Sequence, residues 1–184
     1  MPTWWDQIAA TTVAEFSGLS DVSAATRLVL RLSVAALLGG LLGIEREQKG
    51  KAAGIRTHML VAMGSALFVI VSQQAGIVAT DMSRVIQGLI AGIGFLGAGT
   101  ILKGRNDENI ESVKGLTTAA GIWMTAAIGM AAGLGLEVTA VLSTLLALTI
   151  FSLVPTLIRW LELRGPQIVI SDSSTDSAQK KDAP

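Results

Sequence analysis

VIQGLIAGIGFLGAGTIL, residues Val85–Leu102, decides how this chain folds. It carries no charge and is long enough to cross the hydrocarbon of a bilayer, which takes roughly 17–25 mostly apolar residues as a helix. Four further runs of this kind flank it: Leu28–Ile44, Met59–Thr80, Thr117–Leu136 and Val138–Ile158. If Val85–Leu102 crosses, there are five crossings and every strongly basic connection falls on one side. If it only dips into the bilayer, there are four crossings and they do not.

The basic residues favour crossing, because Lys and Arg collect in short cytoplasmic segments. Arg46, Lys49, Lys51 and Arg56 follow the first run, Lys103, Arg105 and Lys114 the third, and Arg159, Arg164, Lys180 and Lys181 the fifth. Of the 14 Lys and Arg, only Arg27, Arg31 and Arg84 remain for the opposite side. The chain therefore reads as an all-α, polytopic membrane bundle of about five transmembrane helices, N-terminus outside and C-terminus in the cytoplasm. Composition agrees: 51% of residues are hydrophobic, 15% are charged and mean hydropathy is +0.58, the signature of a chain solvated by lipid. With no cysteine there is no disulfide, thiolate metal site or Cys nucleophile, and a net charge of zero gives no reason to expect nucleic acid.

The organisation expected is residues 1–26 as an outer interfacial segment, 27–163 as the transmembrane domain and 164–184 as a disordered cytoplasmic tail. Trp5, Ile8, Ala9, Thr12, Val13 and Phe16 recur on one face of a short amphipathic helix, and with Trp4 they suit the headgroup level; a frayed tail is the alternative. Asp6, Glu15 and the missing basic start exclude a signal peptide. Beyond Leu163 the residues are mostly Ser, Asp, Gln and Lys.

The 20 glycines lie mostly inside the apolar runs, where small residues let helices approach closely. The third run holds Gly88, Gly92, Gly94, Gly97 and Gly99, which suits a central helix packed all round or one that breaks near Gly97–Gly99. The fourth carries a ladder at Thr117, Gly121, Thr125, Gly129 and Gly133, and the first holds Gly39 and Gly43. These three runs are the expected packed centre, with the Leu-rich fifth facing lipid. Gly92–Gly97 satisfies GxGxxG, but no strand precedes it and no soluble βαβ unit surrounds it, so no dinucleotide cofactor is expected.

Arg31, one turn inside the outer end of the first run, is expected to snorkel outward. Gln73, Gln74 and Gln87 are expected to hydrogen-bond between helices. At the inner ends, Glu45 and Arg46 close the first run while Arg56 and Thr57 open the second, level with Lys114, Thr117 and Thr118. Two readings are open: ordinary anchors and helix caps, or a polar pocket that binds an anion, a cation or a partner's polar segment. His58 is the lone histidine, so neither a His-based metal site nor a proton relay is expected. No Ser/His pair, two-aspartate motif or HExxH occurs within the runs, and a non-enzyme is expected.

GIER at Gly43–Arg46, GIRTH and LVAMGSALF within Gly54–Phe68, RVIQGLIAGIGFLGAGTIL at Arg84–Leu102 and VKGLTTAAGIWMTAAIGMAAGLG at Val113–Gly135 follow one another in the order of a known family. The chain resembles the MgtC/SapB family of bacterial membrane proteins. The resemblance implies an inner-membrane location, about five spans, a link to growth at low magnesium and, in pathogens, survival inside host cells. It also implies action through protein contacts in the membrane, with the rotary ATP synthase or a regulator of phosphate uptake as partner, and self-association is possible as well. The residues it singles out are Glu45, Arg46, Arg56, Thr57, Gly94, Gly97, Gly99, Lys114, Gly115, Thr117, Thr118 and Trp123. Longer relatives end in a soluble ferredoxin-like domain. Nothing of that length follows Leu163, so a minimal membrane core is the expectation. Transport of a small ion, magnesium or phosphate, is the competing function.

Overall fold

The computed structural model describes residues 3–15, 21–103 and 114–164. They form six helices: α1 (Trp4–Glu15), α2 (Val22–Gln48), α3 (Ile55–Gln74), α4 (Ala79–Lys103), α5 (Leu116–Leu134) and α6 (Glu137–Arg164), and no strand occurs among the described residues. The last five are long and apolar enough to span a membrane. Even α5, with 19 residues, reaches about 28 Å at 1.5 Å per residue. The first compact unit comprises residues 1–151; the second begins at Ser152, and its described part is the final stretch of α6, which contains Pro155. The stretch 165–184, expected to be a disordered tail, lies outside the described residues.

Local chemistry sets the helix ends. Asp21 caps α2, its carboxylate accepting from the Ser23 and Ala24 amides at 3.0 and 3.3 Å. This start places Val22–Thr26, read from sequence as interfacial, inside the first spanning helix. Gly135 closes α5 at φ +81°, with the Leu136 amide reaching back to the Ala131 carbonyl at 2.9 Å. The turn into α6 is correspondingly short. Thr3 and Asp6 hydrogen-bond reciprocally at the start of α1, and Trp4 stacks on Trp5 at 3.9 Å between ring centroids. No described residue of α1 is buried.

The packed centre is α2, α3 and α5. A Cβ added at Gly39 would stand 2.5 Å from the His58 carbonyl oxygen, and one at Gly43 the same distance from Ile55 Cα. From the other side, a Cβ at Gly133 would stand 2.7 Å from the Ala66 carbonyl oxygen, and one at Gly129 would overlap that of Ala62. Backbone meets backbone along both seams, with Ala62 shared between them. Two buried threonine hydroxyls are satisfied within their own helices, Thr125 donating to the Gly121 carbonyl and Thr144 to Ala140, each at 2.8 Å, whereas the buried Ser65 hydroxyl has no hydrogen-bond partner.

One expectation is corrected here. The third run is not central: only 11% of the α4 span is buried, against 50% of α5. Its place is taken by α3, whose close contacts at the two seams come from Ala62 and Ala66 rather than glycine. Nor does α4 break, since it runs unbroken from Ala79 to Lys103. In the first unit α6 buries the stripe Ala140, Thr144 and Ala147 and leaves Leu142, Leu145 and Leu146 exposed.

Candidate functional site

At the end of the bundle where α2 finishes and α3 and α5 begin, a polar group lies inside the packed helices. The Arg46 side chain is 4% exposed and pairs with Glu45 beside it, while its guanidinium sits 3.7 Å from the ring centroid of Phe151. His58 is fully buried, with Nδ1 2.9 Å from the Gly54 carbonyl. Gly121 makes room for this group, since a Cβ there would lie 3.6 Å from His58 Nε2 and 4.0 Å from Arg46 Cδ. Thr118, one turn earlier on α5, is also buried. Glu45 Oε1 and His58 Nε2 are buried without hydrogen-bond partners, so the group retains unused hydrogen-bonding capacity.

The sequence-derived inner cluster is thus divided. Glu45, Arg46 and Thr118 turn into the protein; Arg56, Thr57, Lys114 and Thr117 are exposed. Two contributors were missed. His58 heads the series 58, 62, 65, 66 and 69, the buried face of α3, and that helical spacing was its signal. Glu47 lends Oε2 to the Ile55 amide at 2.9 Å, capping α3, whose own N-cap residue Gly54 has no side chain to do so. Among the described residues no group of three or more His, Cys, Asp or Glu could hold a metal ion.

At the other end of the bundle, Arg31, expected to snorkel outward, holds its guanidinium at the ends of α3 and α5. Its Nη1 donates to Gln73 Oε1 at 3.1 Å and to the Gly133 carbonyl at 2.9 Å. The last carbonyls of a helix lack partners within it and carry the negative end of its dipole, which makes the end of α5 a strong acceptor for a guanidinium. Gly135 leaves space, because a Cβ there would overlap the Arg31 Nη2. Of the three glutamines, Gln73 bridges helices; Gln74 and Gln87 are exposed.

The glycines fall into two classes. Gly39, Gly43, Gly121, Gly129 and Gly133 are filled by neighbours inside the bundle, while Gly88, Gly92, Gly94 and Gly99 have no atom within 4 Å of an added Cβ. Within α4 only Gly97 is engaged, 3.5 Å from Ala119 Cβ on α5, on the same side as buried Ile93. Trp123, half exposed, lies beside Leu89, Ile90 and Ile93 where α4 meets α5. Between α4 and α3 runs an apolar groove of about 460 Å³ whose floor is Gly88 and Gly92 and whose walls include Phe68, Leu89 and Leu96.

Five spanning helices, glycine–backbone seams and buried polar groups at both ends define a multi-pass helical membrane protein. The MgtC family profile matches residues 32–160, and the chain belongs to that family. It is similar to YhiD of Escherichia coli (strain K12), 46% identical over 133 residues, which is 67% of this chain and 60% of that protein. SrpB of Synechococcus elongatus is 42% identical over 159 residues, covering 80% of this chain and 87% of SrpB, and MgtC of Brucella abortus is 43% identical over 136 residues, covering 73% and 54%. The matched region thus spans only 60% of YhiD and 54% of the Brucella protein. No solved structure matches the chain significantly.

Proposed function

We propose that this is a non-catalytic protein of the bacterial inner membrane, linked to magnesium homeostasis and adaptation to low magnesium, that regulates another membrane complex by helix contact. Its N-terminus faces outward and its C-terminus the cytoplasm, the orientation supported by the distribution of Lys and Arg. The observation that carries the reading is the open face of α4: Gly88, Gly92 and Gly99 lie at intervals of four and seven on one side, and among the described residues nothing fills them. A partner helix could approach there as closely as α2 approaches α3.

Co-purification from native membranes at matched protein levels tests this with Gly92→Leu, whose Cβ would have no described atom within 4 Å and whose side chain would occupy the groove. Loss of partner recovery is expected. Recovery equal to wild type with both Gly88→Leu and Gly92→Leu refutes docking on α4. Gly129→Leu is not informative here, since it would collide with the Ala62 backbone and disturb the fold itself.

A second reading, a small transporter or channel for magnesium or phosphate, is favoured by the name of YhiD, which describes that relative as a candidate magnesium transporter. The buried Glu45–Arg46 pair and the unpartnered His58 Nε2 would be its polar elements. Saturable flux in proteoliposomes that Glu45→Ala abolishes would establish it in place of the regulator.

A further inference from the structure

The end of the bundle formed by the start of α2 and the finish of α3 holds a cleft of about 330 Å³, bordered by Asp21, Arg27, Arg31, Ile70, Gln73 and Gln74. Its polar groups are mostly donors. Gln73 Oε1 accepts from Arg31, and the carboxamide NH2 beside it is a further donor. Arg31 Nε is buried and has no hydrogen-bond partner. Arg27 is exposed at the cleft, one helical turn or about 6 Å along α2 from Arg31. The single carboxylate, Asp21, interacts electrostatically with Arg27 while its Oδ1 accepts from the Ser23 amide, the Ser23 hydroxyl and the Ala24 amide, and one carboxylate against two guanidiniums leaves the cleft with a positive charge in excess. The end of α3 adds little negative field, since Ala75, Gly76 and Ile77 amides close onto the Val71, Gln73 and Ser72 carbonyls. The N-terminus of the 27-residue α2 adds a positive one.

We infer that this cleft is a binding site for a phosphate oxyanion, held by the guanidinium of Arg27 with the Gln73 and Gln74 carboxamides, above an Arg31 fixed in place by its bonds to α3 and α5. Guanidinium and amide N–H groups converging from two helices suit the several acceptor oxygens of phosphate. The cleft lies at helix ends, the level of lipid headgroups, and Ile70 gives it an apolar wall that an acyl chain or glycerol backbone can follow. Phosphodiester of an anionic lipid and free orthophosphate share this chemistry.

Native mass spectrometry of the full chain in detergent, with phosphatidylglycerol and phosphatidylcholine of identical chains, is the test. Preferential retention of phosphatidylglycerol is expected, weakened about tenfold by Arg27→Gln, the effect of one charge-assisted contact. Arg27→Lys should recover part of that loss, and Lys49→Gln, at the opposite end of α2, should change nothing. Displacement of the bound lipid by millimolar orthophosphate would show that the free anion is accepted, and its persistence that the headgroup is required; either supports the site. Equal retention of the two lipids, or equal loss with Lys49→Gln and Arg27→Gln at unchanged melting temperature, overturns it. None of these outcomes depends on docking at α4.

Discussion

Replacing Gly133 with Ala adds one methyl group at a seam that has no room for it. The new Cβ would stand 2.7 Å from the Ala66 carbonyl oxygen and 3.1 Å from Val69 Cβ, whereas ordinary contact begins at 3.4 Å. The obstacle is backbone, which has no rotamer to change, so α5 must withdraw from α3 by about 0.7 Å. A gap of that size forfeits roughly a quarter to a half of the dispersion energy of the atoms it parts. Overpacking of this kind costs about 3 kcal/mol, and the better helix propensity of Ala returns about 1 kcal/mol, leaving a net loss of about 2 kcal/mol. Gly92→Ala is the same chemical change where no atom lies within 4 Å, and it should be neutral or stabilising by up to about 1 kcal/mol. Unfolding of the detergent-solubilised variants, followed by tryptophan fluorescence, should separate the two by about 3 kcal/mol. If Gly133→Ala is as stable as wild type, or if Gly92→Ala is the more damaging of the two, the assignment of α5 to the interior and α4 to the periphery is wrong.

Arg31→Met should destabilise the bundle by about 2–3 kcal/mol through loss of charge-assisted bonds to Gln73 and the end of α5, and a double-mutant cycle with Gln73→Leu should show coupling. Glu47→Ala removes the cap on the Ile55 amide and should cost about 1 kcal/mol, seen as faster hydrogen exchange in the first turn of α3. The Asp21 carboxyl is held below its usual range, chiefly by the Ser23 hydroxyl and then by the Ala24 and Ser23 amides. Its folded pKa is depressed, so the stabilisation it provides is complete above the ordinary Asp range and disappears as pH falls through the lowered value. Amide shifts of Ser23 and Ala24 should therefore titrate below the normal Asp range, and Asp21→Asn should remove the titration.

The spans were legible because each consists of an uninterrupted apolar run, a property the chain has before it folds. Their arrangement was less so, for reasons visible in particular residues. Gly88, Gly92, Gly94 and Gly99 mark a helix that permits close approach, but a glycine does not record whether a neighbour takes up the offer. Ala62 does accept neighbours on both sides and Ala66 on the side of α5, and alanine is too common in apolar helices to stand out. Arg31 was judged by its depth from the membrane surface alone, since its acceptor at Gly133 lies on another helix far along the chain. In the inner cluster, proximity in sequence correctly joined Glu45 and Arg46, yet the pattern could not separate these buried side chains from exposed Arg56 and Lys114.

Ala62 is touched from one flank by α2 and from the other by α5, and these contacts are made by segments inserted at different times during synthesis. The α2–α3 hairpin emerges first and waits, with the α5-facing side of Ala62 and Ala66 uncovered, while α4 is being threaded. Because that vacant side is shaped by fixed main-chain atoms rather than pliable side chains, it can receive α5 whether or not the two are covalently joined. A chain cut between α4 and α5 and expressed as two pieces should accordingly reassemble in the membrane, and methyl groups placed at Gly129 and Gly133 should prevent the halves from meeting.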